Sequence, residues 1–338
     1  MTAPRTLLAI TPREHADFLP PPLFGELQKL LPALEIVDPR ELDATAWAAL
    51  LAARRPQLLV SGWKTPALPG DYPVGPDAAD GLQYLCHLTG SVRKFVSAQQ
   101  VERGLRVSNW GNSVSRVMAE CGLFLAIAAL RRASHWAREM PRGAWKDDGS
   151  QFHSLFERRV GLHGFGAIAR ELVKLMQPFG VQVQTYSPSV PDAELAACGV
   201  TRADTLAELF ARNDVIVELA PLTERTRGLV DETLLRSIRP GGVFVNIGRG
   251  AVVDEDAMIR VAREGQVQFA LDVFAVEPLS ADSPLRNLPN VTLLPHMAGP
   301  TVDRRRDAGA FALANIRRYL AGDALHAQIT PDIYARQT

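Results

Sequence analysis

The stretch Val160–Arg170, VGLHGFGAIAR, is the feature that most restricts how this chain can fold. An apolar, strand-like run enters a turn that contains Gly164 and Gly166, and Ala169 completes the pattern G-x-G-x-x-A. Glycines at such a turn let the main chain approach a ligand closely, and a small third residue lets the following helix pack against the strand. The pattern therefore predicts a strand, a tight turn and a helix in direct succession.

The residues behind the motif support that interpretation. Ala167–Phe179 is predicted to be a helix that Pro178 and Gly180 end, and Val181–Tyr186 alternates like a second strand. The free N–H groups and the positive dipole end of such a helix bind a pyrophosphate. Glycines near helix starts are often only turn residues, but inside a complete strand–helix–strand unit they predict dinucleotide binding.

Length and composition exclude several classes of protein. The 338 residues exceed one comfortable domain, and 37 basic against 37 acidic residues give no electrostatic attraction to nucleic acid or to an anionic membrane. Cys86, Cys121 and Cys198 are odd in number and far apart, which argues against disulfides or a thiolate metal site. Leu7–Ile10 is too short for a signal-peptide core, and Gly122–Leu130 is shorter than the roughly 20 residues that span a bilayer. We expect a cytoplasmic protein.

Short apolar runs in the first third of the chain predict a small parallel sheet with helices between its strands. The predicted strands are Thr6–Ile10, Glu35–Val37 and Leu58–Ser61, and the predicted helices include Phe24–Leu31 and Ala44–Arg54.

Two loops of this first part are candidate substrate contacts, because open α/β sheets bind ligands at the carboxyl ends of their strands. Lys64 follows the third strand and could meet a substrate anion, although an exposed lysine is more often only solvated. The loop Thr89–Lys94 offers two cations and backbone N–H groups, those of Ser91 and Val92 among them. It is equally consistent with an ordinary turn before a basic helix start.

The segment Val114–Leu130 is apolar on nearly every face, whereas a surface helix has a polar face. We therefore expect this helix to be buried between domains or subunits. Beyond the glycine motif, helices and strands continue to alternate. The predicted strands are Asp214–Leu219, Val243–Ile247, Val267–Val273 and Val291–Leu294, and the predicted helices are Thr205–Ala211, Asp231–Gly241 and Asp254–Glu264.

Together these elements predict an α/β protein with two doubly wound parallel-sheet domains. The chain should leave the first domain near Val107–Asn112, and the long helix Thr301–Leu320 should carry it back. We expect a Rossmann dinucleotide-binding domain over residues 109–301. It is inserted in a discontinuous, flavodoxin-like substrate-binding domain of residues 1–108 and 302–338.

Three polar stretches follow strands of the second domain and should meet at the carboxyl edge that holds the glycine turn. They contain a cation, Arg249, a carboxylate, Glu277, and an imidazole, His296. Each alone has an ordinary explanation, as a turn cation, a loop acid before a proline and a hydrogen-bonded buried histidine. Together at the ligand edge of one sheet they favour an active site.

Five segments in succession resemble the signatures of a known family, the D-isomer-specific 2-hydroxyacid dehydrogenases. They are VGLHGFGAIAR, APLTERTRGLV, VFVNIGRGAVVDEDA, ALDVFAVEP and LLPHMAGPT. Within that family the chain resembles the glyoxylate/hydroxypyruvate reductases and the phosphoglycerate dehydrogenase-like members, and the resemblance extends over roughly Arg106–Thr301. It implies an oxidoreductase that transfers a hydride between NAD(P)H and the carbonyl carbon of a small 2-oxo acid, in a cleft that closes between the domains.

The resemblance also implies a role for each residue. Arg249 would hold the substrate carboxylate and polarise the carbonyl, His296 would be the acid/base, and Glu277 would orient it and favour its charged form. Asp272 would meet the nicotinamide carboxamide. These roles agree with the chemistry, because reduction of a 2-oxo acid requires a proton for the oxygen and a fixed cation for the neighbouring carboxylate. No cluster of residues has metal-ligand spacing, and the reaction needs no metal.

The implied cofactor contacts are Gly164, Phe165, Gly166, Ala167, Ile168, Ser187, Ala220, Pro221, Thr226, Ile247, Gly248, Arg249, Asp272, His296 and Gly299. The predicted substrate contacts are Lys64, Ser91, Val92, Arg249 and His296.

Four departures from the family pattern bear on cofactor and substrate. The strand after the motif helix normally ends in an acid that binds the adenosine ribose, but here Ser187 follows Tyr186. Without that charge nothing repels a 2′-phosphate, and no arginine follows at once, so NADP tolerance is better supported than NADP selectivity. Leu219 stands where many members have histidine, and Trp110–Asn112 replaces a Pro-Gly turn. His163 is unusual within its strand and is interpreted as a packing residue.

Several alternatives stay open. Substrates of the glyoxylate or hydroxypyruvate type are favoured over phosphoglycerate. A formate dehydrogenase is disfavoured, because the resemblance implies that this branch pairs a glutamine with the histidine. This chain has Glu277 at that position. The rival function is that of a corepressor-like protein that senses NAD(H) with little turnover, although no long charged tail supports it. The apolar helix and the family resemblance both predict a homodimer.

Overall fold

Two parallel sheets and the helices that connect their strands make up the described residues, 4–78 and 80–336, of the computed structural model. One unit comprises Met1–Val114 and Pro300–Thr338, and the other comprises Ser115–Gly299. The predicted fold class, α/β with two parallel-sheet domains, is confirmed.

The elements follow one another in this order. The first unit begins with β1 (Thr6–Ala9), α1 (Pro12–Phe18), α2 (Pro21–Leu30), β2 (Leu34–Val37), α3 (Ala44–Arg54), β3 (Leu58–Ser61), β4 (Tyr84–His87), α4 (Ala98–Glu102) and β5 (Arg106–Ser108). The second unit contains α5 (Ser115–Leu130), α6 (Ala133–Glu139), β6 (Arg159–His163), α7 (Ala167–Met176), β7 (Gln182–Tyr186), α8 (Asp192–Ala197), β8 (Val200–Arg202), α9 (Leu206–Arg212), β9 (Val215–Glu218), α10 (Glu232–Ser237), β10 (Val243–Asn246), α11 (Glu255–Arg263), β11 (Gln268–Leu271) and β12 (Val291–Leu293). The chain returns to the first unit with α12 (Arg305–Ala321) and α13 (Pro331–Arg336).

The sheet of the first unit has the strand order β2-β1-β3-β4-β5. Ala9 of β1 pairs with Ser61 of β3, and Ser61 pairs with His87 of β4, so the central strands end at the same level. In an open parallel sheet of this order the strand order reverses between β1 and β3, and ligands bind outside the carboxyl ends at such a point.

The sheet of the second unit has the order β12-β11-β10-β9-β6-β7-β8. His163 of β6 pairs with Glu218 of β9, Glu218 with Asn246 of β10, and Asn246 with Leu271 of β11. The loops after these four strands therefore leave the sheet at one edge. The glycine turn follows β6, next to the strand-order reversal between β6 and β9.

Helix α5 packs against its own unit, where α7 and strands β10 and β11 cover it. Ala119 and Leu125 are fully buried, and Gly122 lies so close to Ile247 that a Cβ would stand 2.9 Å from its Cδ1. We predicted that this helix must be buried between domains or subunits, and that prediction is wrong. Small residues such as Gly122 let the helix pack against the sheet of its own unit. Phe124 lies on its exposed face.

Several short elements are absent from the sequence prediction. They are strands β4, β5 and β8 and helices α1, α4, α6, α8 and α13. All of them are short, and β8, Val200–Arg202, has only 3 residues, so their apolar period is a weak signal. Helix α10 ends at Ser237 rather than near Gly241, because Pro240 disfavours helical backbone at the residue before it.

Within the described residues, no helix is long and apolar enough to cross a membrane. No group of three or more His, Cys, Asp or Glu side chains in that part of the chain could hold a metal ion. Cys86, Cys121 and Cys198 are free thiols.

The contact between α12 and α1 yields a stability prediction. A Cβ at Gly309 of α12 would stand 1.7 Å from the carbonyl oxygen of Phe18, so Gly309→Ala cannot be accommodated without separating the two helices. We expect a loss of about 3 kcal/mol or more in unfolding free energy, measured by denaturant titration. Gly25→Ala in α2 is the control, because nothing lies within 4 Å of its Cβ position and alanine favours a helix. Equal stability of the two variants would contradict the packing described.

Candidate active site

The glycine turn at the end of β6 has space for a phosphate. Gly164 has a φ of +93°, and a Cβ there would stand 3.0 Å from the backbone nitrogen of Ala220. At Gly166 nothing lies within 4 Å of the Cβ position, so the space in front of α7 is open. The helix begins at Ala167, which puts its free N–H groups and positive dipole end beside this space. These residues fit the pyrophosphate of a dinucleotide.

A buried pair of side chains lies directly behind the turn. His163 Nδ1 and Glu218 Oε2 are 2.6 Å apart, and Glu218 Oε1 accepts the Ala220 N–H at 2.8 Å. One carboxylate thus connects the end of β6 to the loop after β9. His163 is buried as predicted, but it is hydrogen-bonded and not only packed. The sequence analysis missed Glu218, whose signal was a charged residue at the end of an apolar strand.

Ser187 follows β7 and is buried within a turn that an arginine holds together. The Arg202 Nη1 donates to the Ser187 carbonyl at 3.0 Å, and the same guanidinium binds the Val190 carbonyl and the Asp192 carboxylate. Arg202 belongs to β8, the neighbouring strand of the sheet. Arg202 is distant from Ser187 in the sequence, and the pairing of β8 with β7 brings its guanidinium to this turn.

The other predicted cofactor contacts form closed turns at the same edge. The Ala220 N–H is bound to Glu218, and the Thr226 hydroxyl donates to the Pro221 carbonyl at 2.7 Å. The Gly248 N–H donates to the Asn246 side chain at 3.0 Å. Of the remaining residues, Phe165 and Ile247 are buried, and Ile168, Pro221 and Gly299 are at least partly accessible.

Arg249 lies on the loop after β10. Its Nη1 donates to the Gly248 carbonyl at 2.8 Å, and the Asn246 side chain donates to the Arg249 carbonyl at 3.3 Å. Burial lowers the pKa of the Arg249 guanidinium, and the negative charge of Glu277 opposes that shift. A cation held in a poorly hydrated position attracts an anion more strongly than one in bulk water does.

Gly250 brings this loop against the next one. A Cβ at Gly250 would stand 1.9 Å from the carbonyl carbon of Phe274, so only glycine permits the approach. Phe274 in turn donates its N–H to Glu277 Oε1 at 3.1 Å. The loops that carry Arg249 and Glu277 are therefore in direct main-chain contact.

Glu277 and His296 form an accessible acid–imidazole pair. Glu277 Oε2 and His296 Nδ1 are 2.6 Å apart, and the side chains are 33% and 51% exposed. His296 has a φ of +52°, a left-handed conformation that is uncommon outside glycine and points to a constrained turn. Both residues border a cavity of about 660 Å³ whose other lining residues include Phe274, Leu293 and Leu294.

Asp272, at the end of β11, fixes the turn that carries His296. Its carboxylate is fully buried and accepts the N–H groups of Met297 at 2.7 Å and Ala298 at 3.0 Å. Its carbonyl accepts the His296 N–H at 2.9 Å. The nicotinamide contact of Asp272 stays a prediction. Burial, together with the Asp272 charge, raises the pKa of the nearby Cys121 thiol to about 12.

The predicted substrate contacts of the first unit follow its strands β3 and β4. Lys64 is exposed, Ser91 is half-buried, and the Val92 side chain lies in the core, so only its main chain can meet a ligand. A buried histidine that the sequence analysis missed, His87, holds this loop. Its Nδ1 is 2.8 Å from the Ser61 hydroxyl and its Nε2 is 2.5 Å from that of Thr89. Burial lowers the pKa of His87 to about 3.

Comparison with known proteins finds matches over most of the second unit. The family model for the NAD-binding domain of D-isomer specific 2-hydroxyacid dehydrogenases matches residues 123–298. The glyoxylate/hydroxypyruvate reductase A HPR2 of Arabidopsis thaliana is 33% identical over 66% of this chain and 71% of its own. The D-3-phosphoglycerate dehydrogenase of Methanocaldococcus jannaschii is 31% identical over 66% of this chain, and the match spans only 42% of that longer protein.

Solved structures match over nearly the whole chain. The apo D-mandelate dehydrogenase of Rhodotorula graminis superposes with a TM-score of 0.78 at 25% identity, covering 96% of this chain and 97% of that one.

Proposed function

The chain belongs to the D-isomer-specific 2-hydroxyacid dehydrogenase family, and we propose that it transfers a hydride between NAD(P)H and the carbonyl carbon of a small 2-oxo acid. The observation that carries the proposal is the Glu277–His296 pair, because the loop of Glu277 is in main-chain contact with the loop that bears Arg249. An acid–imidazole pair and a cation beside a glycine turn match the needs of this reaction. The relatives named above act, by their names, on glyoxylate or hydroxypyruvate, on phosphoglycerate and on mandelate.

Each residue has one task in the proposed reaction. The bound nicotinamide supplies the hydride. Arg249 binds the carboxylate of the 2-oxo acid and draws charge from the neighbouring carbonyl. His296 holds Glu277 through Nδ1, so its Nε2 is the atom that donates a proton to the carbonyl oxygen. Glu277 stabilises the imidazolium before the transfer. In the oxidative direction the neutral imidazole takes the proton back.

The cofactor preference is a separate part of the proposal. The match to an NAD-binding domain supports NAD(H), and tolerance of NADPH is inferred from the turn at Ser187. No carboxylate stands at that position to repel a 2′-phosphate. The guanidinium of Arg202 adds positive charge to the turn, although Asp192 balances part of it.

Turnover tests the function directly. Glyoxylate, hydroxypyruvate and 3-phosphohydroxypyruvate are each assayed with NADH and NADPH, and oxidation of the cofactor is followed by absorbance. We expect reduction of at least one of these 2-oxo acids. Tight NADH binding without turnover of any 2-oxo acid would instead support the corepressor-like alternative.

A homodimer is the assembly that we propose. Five exposed apolar side chains lie within one stretch of the second unit, from α5 to the start of β6, namely Phe124, Met140, Trp145, Phe152 and Phe156. Single exposed apolar residues are ordinary, but a contiguous exposed patch of them is typical of an interaction surface, and we propose that these five side chains form one.

The first prediction from the proposed function concerns the proton. Glu277→Gln keeps the shape of the side chain but removes the negative charge beside the imidazole that donates the proton. The kcat for reduction should therefore fall in Glu277→Gln, by less than in His296→Ala. His296→Ala should lose about 10²- to 10⁴-fold in kcat, and Arg249→Ala should chiefly raise KM for the 2-oxo acid.

The matched control for this series is Glu102→Gln, which removes an exposed carboxylate from α4 in the other unit. Its kcat should equal that of the wild type. An unchanged kcat in Glu277→Gln, with His296→Ala near the wild-type rate, would mean that another group carries the proton.

The second prediction concerns the cofactor. NADPH should bind at least as well as NADH, and Ser187→Asp should shift preference strongly to NADH, because the new carboxylate repels the 2′-phosphate. Dissociation constants from NADPH and NADH fluorescence titrations measure the shift. Ser187→Ala is the control that removes the hydroxyl without adding charge. A wild type that prefers NADH by about a hundredfold would contradict the inference, since it would correspond to roughly 2.7 kcal/mol of discrimination.

The third prediction concerns assembly. Sedimentation at micromolar concentration should give a particle of two chains. Phe156→Asp should weaken that association by burying a charge in the interface. Ile36→Asp, at an exposed position of β2 in the other unit, should leave it unchanged. A wild type that sediments as one chain would refute the dimer.

A further inference from the structure

Two tryptophans lie at the ligand edge of the first unit, and the proposed reaction gives them no role. Trp63 follows β3 and Trp110 follows β5, and the strand between them, β4, is followed by Gly90. The three loops are thus neighbours along one carboxyl edge. The Trp63 loop lies beside the point where the strand order reverses, which is where open parallel sheets bind ligands.

The Trp63 loop is fixed by buried polar groups. The Trp63 N–H donates to Oε1 of the buried Glu14 at 2.7 Å, and the other carboxylate oxygen accepts the Thr11 N–H at 2.8 Å. The Thr65 hydroxyl donates to the Ala9 carbonyl at 2.6 Å, which ties the far side of the loop to β1. A buried carboxylate is costly unless its hydrogen bonds are made, and here they are made by the main chain that presents Trp63.

The Trp63 side chain is 42% exposed, and neighbouring side chains pack against the rest of its indole. The Arg305 guanidinium lies 4.9 Å from the ring centroid and is itself bound to Asp17 at 2.6 Å. The Phe18 ring packs edge-on at 5.3 Å. A large apolar ring in a rigid, half-exposed position is available for a ligand at little cost in conformational entropy.

Trp110 extends this aromatic surface to the predicted substrate loop. Its ring centroid is 6.4 Å from that of Trp63, with the two planes at 80°. A Cβ at Gly90 would stand 2.8 Å from the Trp110 ring, so glycine at that position lets the indole lie directly against the loop that continues to Ser91 and Val92. The two indoles and the main chain that could hold a substrate carboxylate therefore form one surface.

We propose that the Trp63–Trp110 pair receives the side chain of the 2-oxo acid and selects for an apolar side chain, above all an aromatic one. This inference rests on the proposed function and defines its substrate class. An aromatic ring packs edge-to-face or offset against indoles and removes apolar area from water, whereas glyoxylate has no side chain to bury and a phosphate would remain hydrated.

Substrate preference tests the proposal. The kcat and KM for phenylpyruvate, glyoxylate and 3-phosphohydroxypyruvate are measured for the wild type, Trp63→Ala, Trp63→Phe and Trp110→Ala. The wild type should favour phenylpyruvate over the other two in kcat/KM by about 10-fold or more. Each alanine variant should lose about 10- to 100-fold in kcat/KM for phenylpyruvate, mainly through KM, with glyoxylate changed by less than about 3-fold. Trp63→Phe should retain most of the preference.

Ile36→Ala, which removes another exposed apolar side chain of the same unit, is the control and should change neither substrate. Equal losses for phenylpyruvate and glyoxylate, or none for either, would overturn the proposal. The proposal would also be overturned if the wild type preferred 3-phosphohydroxypyruvate and Lys64→Ala abolished that preference. The site would then select an anionic side chain.

Quenching of tryptophan fluorescence by phenylpyruvate in the presence of NAD⁺, which cannot reduce the acid, separates this inference from the proposed function. Quenching that Trp63→Phe reduces supports the aromatic site even if no acid is turned over, and in that case only the proposed reaction fails. Absence of quenching in a protein that reduces glyoxylate refutes the aromatic site alone.

Discussion

Main-chain contact between Gly250 and Phe274 is the constraint on which the candidate active site depends. The two backbones approach so closely that any side chain at Gly250 would overlap the carbonyl carbon of Phe274. Glu277 is anchored to the N–H of that same Phe274, and Arg249 precedes the glycine. Backbone packing therefore sets the positions of Arg249 and Glu277. The electrostatic attraction between the two side chains is an additional interaction.

Buried carboxylates fix the turns at the ligand edge of both sheets. Glu14 binds two N–H groups beside the first sheet, Glu218 binds the loop after β9, and Asp272 binds the turn that carries His296. Charge-assisted hydrogen bonds of this kind are stronger than neutral ones, and a buried acid without them would be strongly destabilising. Hydrogen bonds to a buried carboxylate thus hold the loop of Trp63 in one unit and the turn of His296 in the other.

Local patterns in the sequence predicted the features that depend on neighbouring residues. The glycine turn, helix α7, and the loops of Arg249, Glu277 and His296 all follow from runs of apolar residues and the glycines between them. Glu218 and Arg202 could not be predicted in this way, because their partners lie on other strands and strand order is set by the whole sheet. The prediction for helix α5 failed for a related reason. Its apolar faces indicated a missing partner, but small residues such as Gly122 let its own sheet bury it.

The buried His87 makes the first unit sensitive to acid through linkage with folding. Its pKa is about 3 in the folded protein, against the ordinary value of 6.5, because burial disfavours the charged ring. An unfolded chain takes up a proton at this residue below 6.5, and the folded chain does not until about 3. The stabilising contribution of the neutral ring is therefore complete above the unfolded value and declines as pH falls through that interval. Acid should therefore destabilise the sheet that carries Lys64 and Ser91, through a histidine that is buried in that unit.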